Sequence, residues 1–194
     1  VLRAVKPGYR LAYVCGDDHT GPYPHPPVPA AVRFQREIGP GDMSATKLRF
    51  AAPEDWACTS RDRPIDLIFV GAVNNQHRQA VVSQLGELAT RGFGVCLAGG
   101  DHLIPWGAYM DLLRKSKVAI CPPGAADCVD TMRLYEAMAS GAHPVLKCPT
   151  PDELTAFVEG ADPERVVKHF LANDTTRARA QELLVACGFE LGNP

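Results

Sequence analysis

The chain has no apolar run long enough to cross a bilayer and no signal-peptide pattern, so no membrane span is expected within it. It has no basic excess either: 20 Lys and Arg stand against 22 Asp and Glu, for a formal net charge of −2. That balance argues against a dedicated nucleic-acid binder, which carries a basic patch or stripe. None of the cysteines (Cys15, Cys58, Cys96, Cys121, Cys128, Cys148 and Cys187) falls in a CxxC pair or at metal-ligand spacing. An odd, scattered set fits reduced thiols better than a disulfide framework, so a reducing compartment, the cytoplasm, is expected. The first residue is Val, not Met, and an anchor upstream of it would instead suit the Golgi lumen. Neither the GxGxxG dinucleotide fingerprint nor the Walker signature occurs. There is no internal repeat.

What is present is a core. The 194 residues are 46% hydrophobic, enough for one ordinary domain with room for a partial second. Residues 1–63 read as an irregular, partial amino-terminal region and linker. Short extended segments are expected at Arg10–Cys15, Ala31–Gln35 and Lys47–Ala52, and the prolines between Pro22 and Pro29 forbid helix or central strand. Residues 64–194 alternate clearly. Strands are expected at 65–70, 94–98, 117–121 and 143–147, and helices over 76–91, from Pro105, and over 130–140. Two or three helices finish the chain, with starts at Thr150-Pro151-Asp152-Glu153, at Asp162-Pro163 and at Asp174. Alternation of this kind makes a doubly wound parallel sheet, Rossmann-like, with ligands at the carboxyl ends of its strands.

That edge carries the candidate chemistry. Arg133 falls in the first turn of the 130–140 helix, where a cation opposes the helix dipole unless an anion joins it. Glu136, one turn on, suits bidentate hydrogen bonding to a sugar diol. The alternative is that Asp130 caps the helix and Arg133 pairs with Glu136 or Asp130 on the surface. Gly71 ends the first clear strand and lets a ligand approach the backbone. Arg78 is placed to reach a diphosphate, or else is a solvated arginine beside an ordinary turn. Gly124, Asp130 and Thr131 lie on the same ligand side. Asp18 and His19, after the first short strand, are the catalytic candidates for a general base; a plain turn is the other reading. His143 precedes a strand, where it either faces the site or makes a structural hydrogen bond. No metal ligands are assigned.

Ser116-Lys117, Cys121-Pro122, Gly124, Asp130, Arg133, Tyr135-Glu136-Ala137, Gly141 and Pro144-Val145 together resemble the donor-binding signature of exostosin-like glycosyltransferases. The resemblance covers roughly residues 64–190 and is similar to the carboxyl-terminal half of the GT-B fold. It implies a nucleotide-sugar-dependent transferase, with Arg133 on the donor diphosphate, Glu136 on the ribose, and Gly71 and Arg78 beside the phosphates. It also implies that no catalytic metal or other cofactor is needed, because cationic groups and helix dipoles stabilise the leaving group. The acceptor is not specified. An acceptor-binding half would have to come from a reduced amino-terminal region, a further domain or a second subunit. A noncatalytic nucleotide- or phospho-ligand-binding module of the same fold is the alternative function.

Overall fold

The structure, a computed structural model, describes residues 12–15, 32–35, 45–47, 50–73, 76–100, 104–123 and 131–186. Strands β1 (Ala12–Cys15), β2 (Val32–Gln35) and β3 (Ala45–Lys47) pair in parallel, in that order. The first two fall within the expected segments Arg10–Cys15 and Ala31–Gln35. Strand β3 meets the expected Lys47–Ala52 only at Lys47, and Ala52 makes an isolated bridge to Thr175 instead. The parallel pairing of β1 to β3 is a finding that the residue pattern of an irregular region does not announce.

After a 3-10 turn at Glu54–Trp56 the chain alternates. The elements are β4 (Ile65–Gly71), α1 (Gln76–Thr90), β5 (Val95–Gly99), α2 (Trp106–Arg114), β6 (Ser116–Ile120), α3 (Met132–Ala139) and β7 (His143–Val145). Helices α4 (Pro151–Glu159), α5 (Pro163–Asn173) and α6 (Thr176–Ala186) complete the described residues. Strands β4 to β7 form an all-parallel sheet in the order β5-β4-β6-β7. The α/β layer expected from the sequence is present, with element ends moved by a residue or two. The capping box at Thr150 and Glu153 forms as expected, with Pro151 in the first helical position.

Both faces of this sheet are covered. Leu67 and Phe69 of β4, with Val118 and Ile120 of β6, pack against Val81, Leu85 and Leu88 of α1 and Leu154 of α4. The intervening side chains, Ile68, Val70 and Ala119, pack on the other face against Tyr109, Met110 and Leu113 of α2 and Ala137 of α3. Burial from two sides is why β4 reads as a continuous apolar run rather than an alternation. Helix α1 carries the chain outward from β4 to β5 on one face. Helix α2 carries it back past β4 to β6 on the other, the change of face that right-handed crossovers require when the direction reverses. A reversal of this kind opens a crevice at the carboxyl ends of β4 and β6.

The opposite end of the layer is held by Arg63. Its buried guanidinium donates to the backbone oxygens of Ser116 and Ser140, both at 2.7 Å, and to Cys58 O at 3.2 Å. Ser116 begins β6 and Ser140 ends α3, so one side chain ties the linker to both elements that frame the crevice. Burial holds the Arg63 pKa below its ordinary value, and the backbone oxygens stand in for lost water. The chain leaves α3 through Gly141 at φ +76°, where an added Cβ would lie 2.4 Å from Cys58 O and 2.5 Å from Arg63 Nη2. At the other flank, buried Arg179 pairs with Asp174 at 2.6 Å and donates to Phe50 O, docking the chain near Ala52 onto the junction of α5 and α6.

Gly141→Ala is expected to cost about 3 kcal/mol or more, combining left-handed strain with disruption of the Arg63 bonds. Gly86→Ala, in α1 with nothing within 4 Å of the added methyl, is expected to add about 1 kcal/mol. Urea denaturation of the two variants beside the wild type checks both. Equal stabilities would remove the role given to the Arg63 staple.

Candidate functional site

The crevice is bounded by Gly71 at the end of β4 and by Cys121-Pro122-Pro123 after β6. Gly71 has φ +149° and is paired with Gly99, at φ +105°, across the sheet. A Cβ on Gly71 would lie 3.1 Å from Arg133 Nη2 and 3.4 Å from Arg133 Cζ. Glycine is needed there because the guanidinium occupies the place of a side chain. Gly71 and Arg133, 62 positions apart in sequence, therefore meet at the strand-order reversal.

Arg133 is the second residue of α3. The helix cap is Thr131, extended at φ −112° and ψ 150°, so the alternative that gave the cap to Asp130 is corrected by one residue. Threonine is a good cap by type, and its branched Cβ suits the extended backbone that precedes a first turn. Yet its side chain makes no capping hydrogen bond, and its buried Oγ1 has no partner among the described residues. The buried Nε of Arg133 likewise has none among the described residues. Two polar atoms at one helix start thus have no partner among the described residues, an arrangement that native structures mostly avoid.

The second cation of the site matters through its neighbour. Arg78, two residues into α1, donates from Nη1 to Ala72 O at 3.1 Å, which turns its side chain back toward the end of β4. Its pKa is held below the ordinary value by burial and then by the charge of Arg133. Two guanidinium groups close enough to repel, partly desolvated, and beside a helix N-terminus make a site whose energy falls when an anion enters. No surface pairing of Arg133 with Glu136 occurs within ion-pair distance among the described residues.

Glu136 instead accepts a hydrogen bond from the Tyr109 hydroxyl at 2.5 Å, between α3 and α2. This corrects the picture of Glu136 as a surface partner of arginine, because α2 packs directly beside α3 and offers a donor. The Tyr109 pKa is pushed well above the ordinary phenol range by burial and by the carboxylate of Glu136. The phenol therefore remains a donor. Its ring packs 5.3 Å from Trp106, which in turn lies 4.9 Å from Trp56. Cys121 completes the group: its thiol is fully buried and lies 3.5 Å from Arg133 O. Burial pushes its pKa up to about 12, Arg133 pulling down and Glu136 pushing up. A thiol so placed is inert as a nucleophile at neutral pH.

The structure thus brings together Gly71, Arg78, Thr131, Arg133 and Glu136 of the expected site. Asp18, His19, Gly124 and Asp130 lie outside the described residues. His143 does not join the cluster: it is level with Val118 rather than with the strand ends, and its ring stacks on Phe157 at 4.8 Å. Its pKa is lowered by burial and by Arg165. It helps line a separate cleft of about 330 Å³ with Met138, Pro144, Arg165, Val166 and His169, which contains none of the residues gathered around Gly71 and Arg133. Tyr109 is the polar neighbour of the candidate site that the apolar periodicity of α2 conceals. A tyrosine on an inward face needs a partner for its hydroxyl, and that need was the available signal. Among the described residues no group of three or more His, Cys, Asp or Glu gathers as metal ligands, and no helix is long and apolar enough to cross a membrane.

Fold and site together define an α/β domain with a cationic crevice at the reversal point of a parallel sheet. No protein-family model matches the chain, and no curated protein matches it at a significant level.

The buried acidic protons set an alkaline response. Cys121, Cys148 (pushed up to about 11, by burial and then by Glu87) and Tyr109 keep protons that the unfolded chain loses at lower pH. The unfolded state then binds fewer protons than the folded one, so stability falls as pH rises above about 8.5, the ordinary thiol value. Urea midpoints between pH 8 and 10.5 are expected to decline, and Cys121→Ala is expected to flatten that decline. A slope unchanged in the variant would mean that Cys121 is not buried as described.

Proposed function

We propose that the chain is a glycosyltransferase, or the donor-binding half of one, with the GT-B type of architecture, transferring sugar from a nucleotide-sugar donor to an acceptor hydroxyl. The observation that carries the reading is the arginine pair, Arg133 lying against the backbone of Gly71 with Arg78 beside it. Two guanidinium groups at a helix start suit a diphosphate better than a lone carboxylate, because each can hydrogen-bond a separate phosphate. Thr131 Oγ1 adds a further polar partner at the same place. Glu136, one turn further along α3, is set to accept from the ribose hydroxyls.

The chemistry follows from charge. As the bond between sugar and diphosphate breaks, negative charge grows on the leaving phosphate. Cations already fixed beside it stabilise that charge without reorganising. The same groups hold the donor in the ground state, so they raise rate only to the extent that they bind the departing diphosphate more strongly than the intact donor. The acceptor hydroxyl needs a base from elsewhere, and Asp18 and His19 remain the candidates. The three parallel strands β1 to β3 support a second α/β unit on the amino-terminal side, the direction from which an acceptor-binding half would come. The donor is a substrate, and no other cofactor is part of the proposal.

Calorimetric titration with nucleoside diphosphates and nucleotide sugars tests the reading. The wild type is expected to bind at least one, and Arg133→Ala to weaken it by about tenfold or more, about 1.4 kcal/mol. Equal binding by wild type and variant would overturn the assignment. Transfer from a radiolabelled donor to an acceptor separates a transferase from a binding module of the same fold.

A further inference from the structure

The hydrogen bond between Tyr109 and Glu136 has a role that the donor-site reading leaves unassigned. The first residue of α2, Trp106, is 48% exposed while packing on both Trp56 and Tyr109. Tyr109, one turn further in, is buried, and its hydroxyl donates to Glu136 Oε2. The aromatic ring is held by the tryptophan beside it, so the hydroxyl is a fixed point rather than a searching one. A glutamate side chain free to rotate would lose that freedom on binding a ligand. Here the phenol has already restricted it. An ionised carboxylate accepts at about four lone-pair positions, and one donor leaves capacity for a diol.

We propose that Tyr109 is a positioning residue for Glu136, fixing its carboxylate so that the remaining lone pairs select the two hydroxyls of a ribose. This rests on the reading of Glu136 as the ribose partner, and it adds the residue that makes the selection sharp. The ligand class is a ribonucleoside diphosphate, as opposed to a deoxy sugar or an inorganic diphosphate. Trp106 and Trp56 act by holding the Tyr109 ring. A purely structural Tyr109 would alter stability, or binding of every ligand alike, but would not alter the choice between sugars.

The experiment is calorimetric titration of the whole chain with three probes. They are the ribonucleoside diphosphate that the wild type binds best among ADP, GDP, CDP and UDP, its 2′,3′-dideoxy analogue, and inorganic pyrophosphate. Tyr109→Phe keeps the ring and its packing, and Glu136→Gln reads the same hydrogen bond from the other side. The wild type is expected to prefer the ribonucleotide over the dideoxy analogue by about tenfold, the worth of one good hydrogen bond to a charged group. Tyr109→Phe and Glu136→Gln are both expected to lose most of that preference while binding pyrophosphate as the wild type does. Retention of the preference in Tyr109→Phe, with its loss in Glu136→Gln, overturns the positioning role and leaves the donor site standing. Retention in both variants overturns the ribose role of Glu136 and the positioning role with it. A wild type that binds none of the probes overturns the donor-site reading as well.

Discussion

A reversal of strand order in a sheet buried on both faces is the constraint from which the crevice follows. Because α1 follows β4 onto one face and α3 follows β6 onto the other, the chain leaves these two neighbouring strands in opposite directions and a gap opens at their carboxyl ends. The gap is therefore lined by whatever the two strand ends and the next helix start provide. Here they provide a glycine without a side chain, a guanidinium in its place, and a second guanidinium turned back by Ala72 O. Like charges brought together at a helix N-terminus oppose one another and the dipole. The fold tolerates this because its stability lies elsewhere, in the two apolar layers and in the four carbonyl bonds of Arg63 at the far end.

The separation of roles runs along α3. Its carboxyl end is clamped by Ser140 O on Arg63 and by the tight exit through Gly141. Its middle is buried through Ala137 and Tyr135. Its amino end carries Thr131 and Arg133 with polar atoms left unsatisfied by the described residues. A helix rigid at one end and electrostatically frustrated at the other is well suited to hold an anion in a fixed position, because little of the scaffold has to move. Glu136 sits between the two regimes. Its hydrogen bond to Tyr109 joins the anion end to an aromatic row that reaches the surface at Trp106.

Much of the α/β layer was legible because its signals are local. The apolar run Ile65–Val70, the capping box at Thr150 and the Asp162-Pro163 start each declare an element without help from distant residues. The meeting of Gly71 with Arg133 was legible only through topology: once the sheet is parallel and the order reverses, the end of β4 and the start of α3 must approach. The pairing of Tyr109 with Glu136 was not legible, since it depends on which faces of α2 and α3 oppose each other, and a tyrosine at helical spacing among leucines reads as core. The cap at Thr131 was displaced by one residue because Asp and Thr are both good caps and adjacent in the chain. The parallel register of β1 to β3 was hidden for a different reason. Strands of three or four residues carry too short a pattern to declare their partners.

The central claim is that the crevice between β4 and β6 holds a diphosphate. A crystal structure of the protein with a bound nucleoside diphosphate tests it most directly. The expected result is phosphate oxygens within hydrogen-bond distance of the Arg133 guanidinium, beside the Gly71 backbone and the start of α3. A diphosphate found instead in the cleft lined by His143, Arg165 and His169, with the crevice at Gly71 empty, would contradict it.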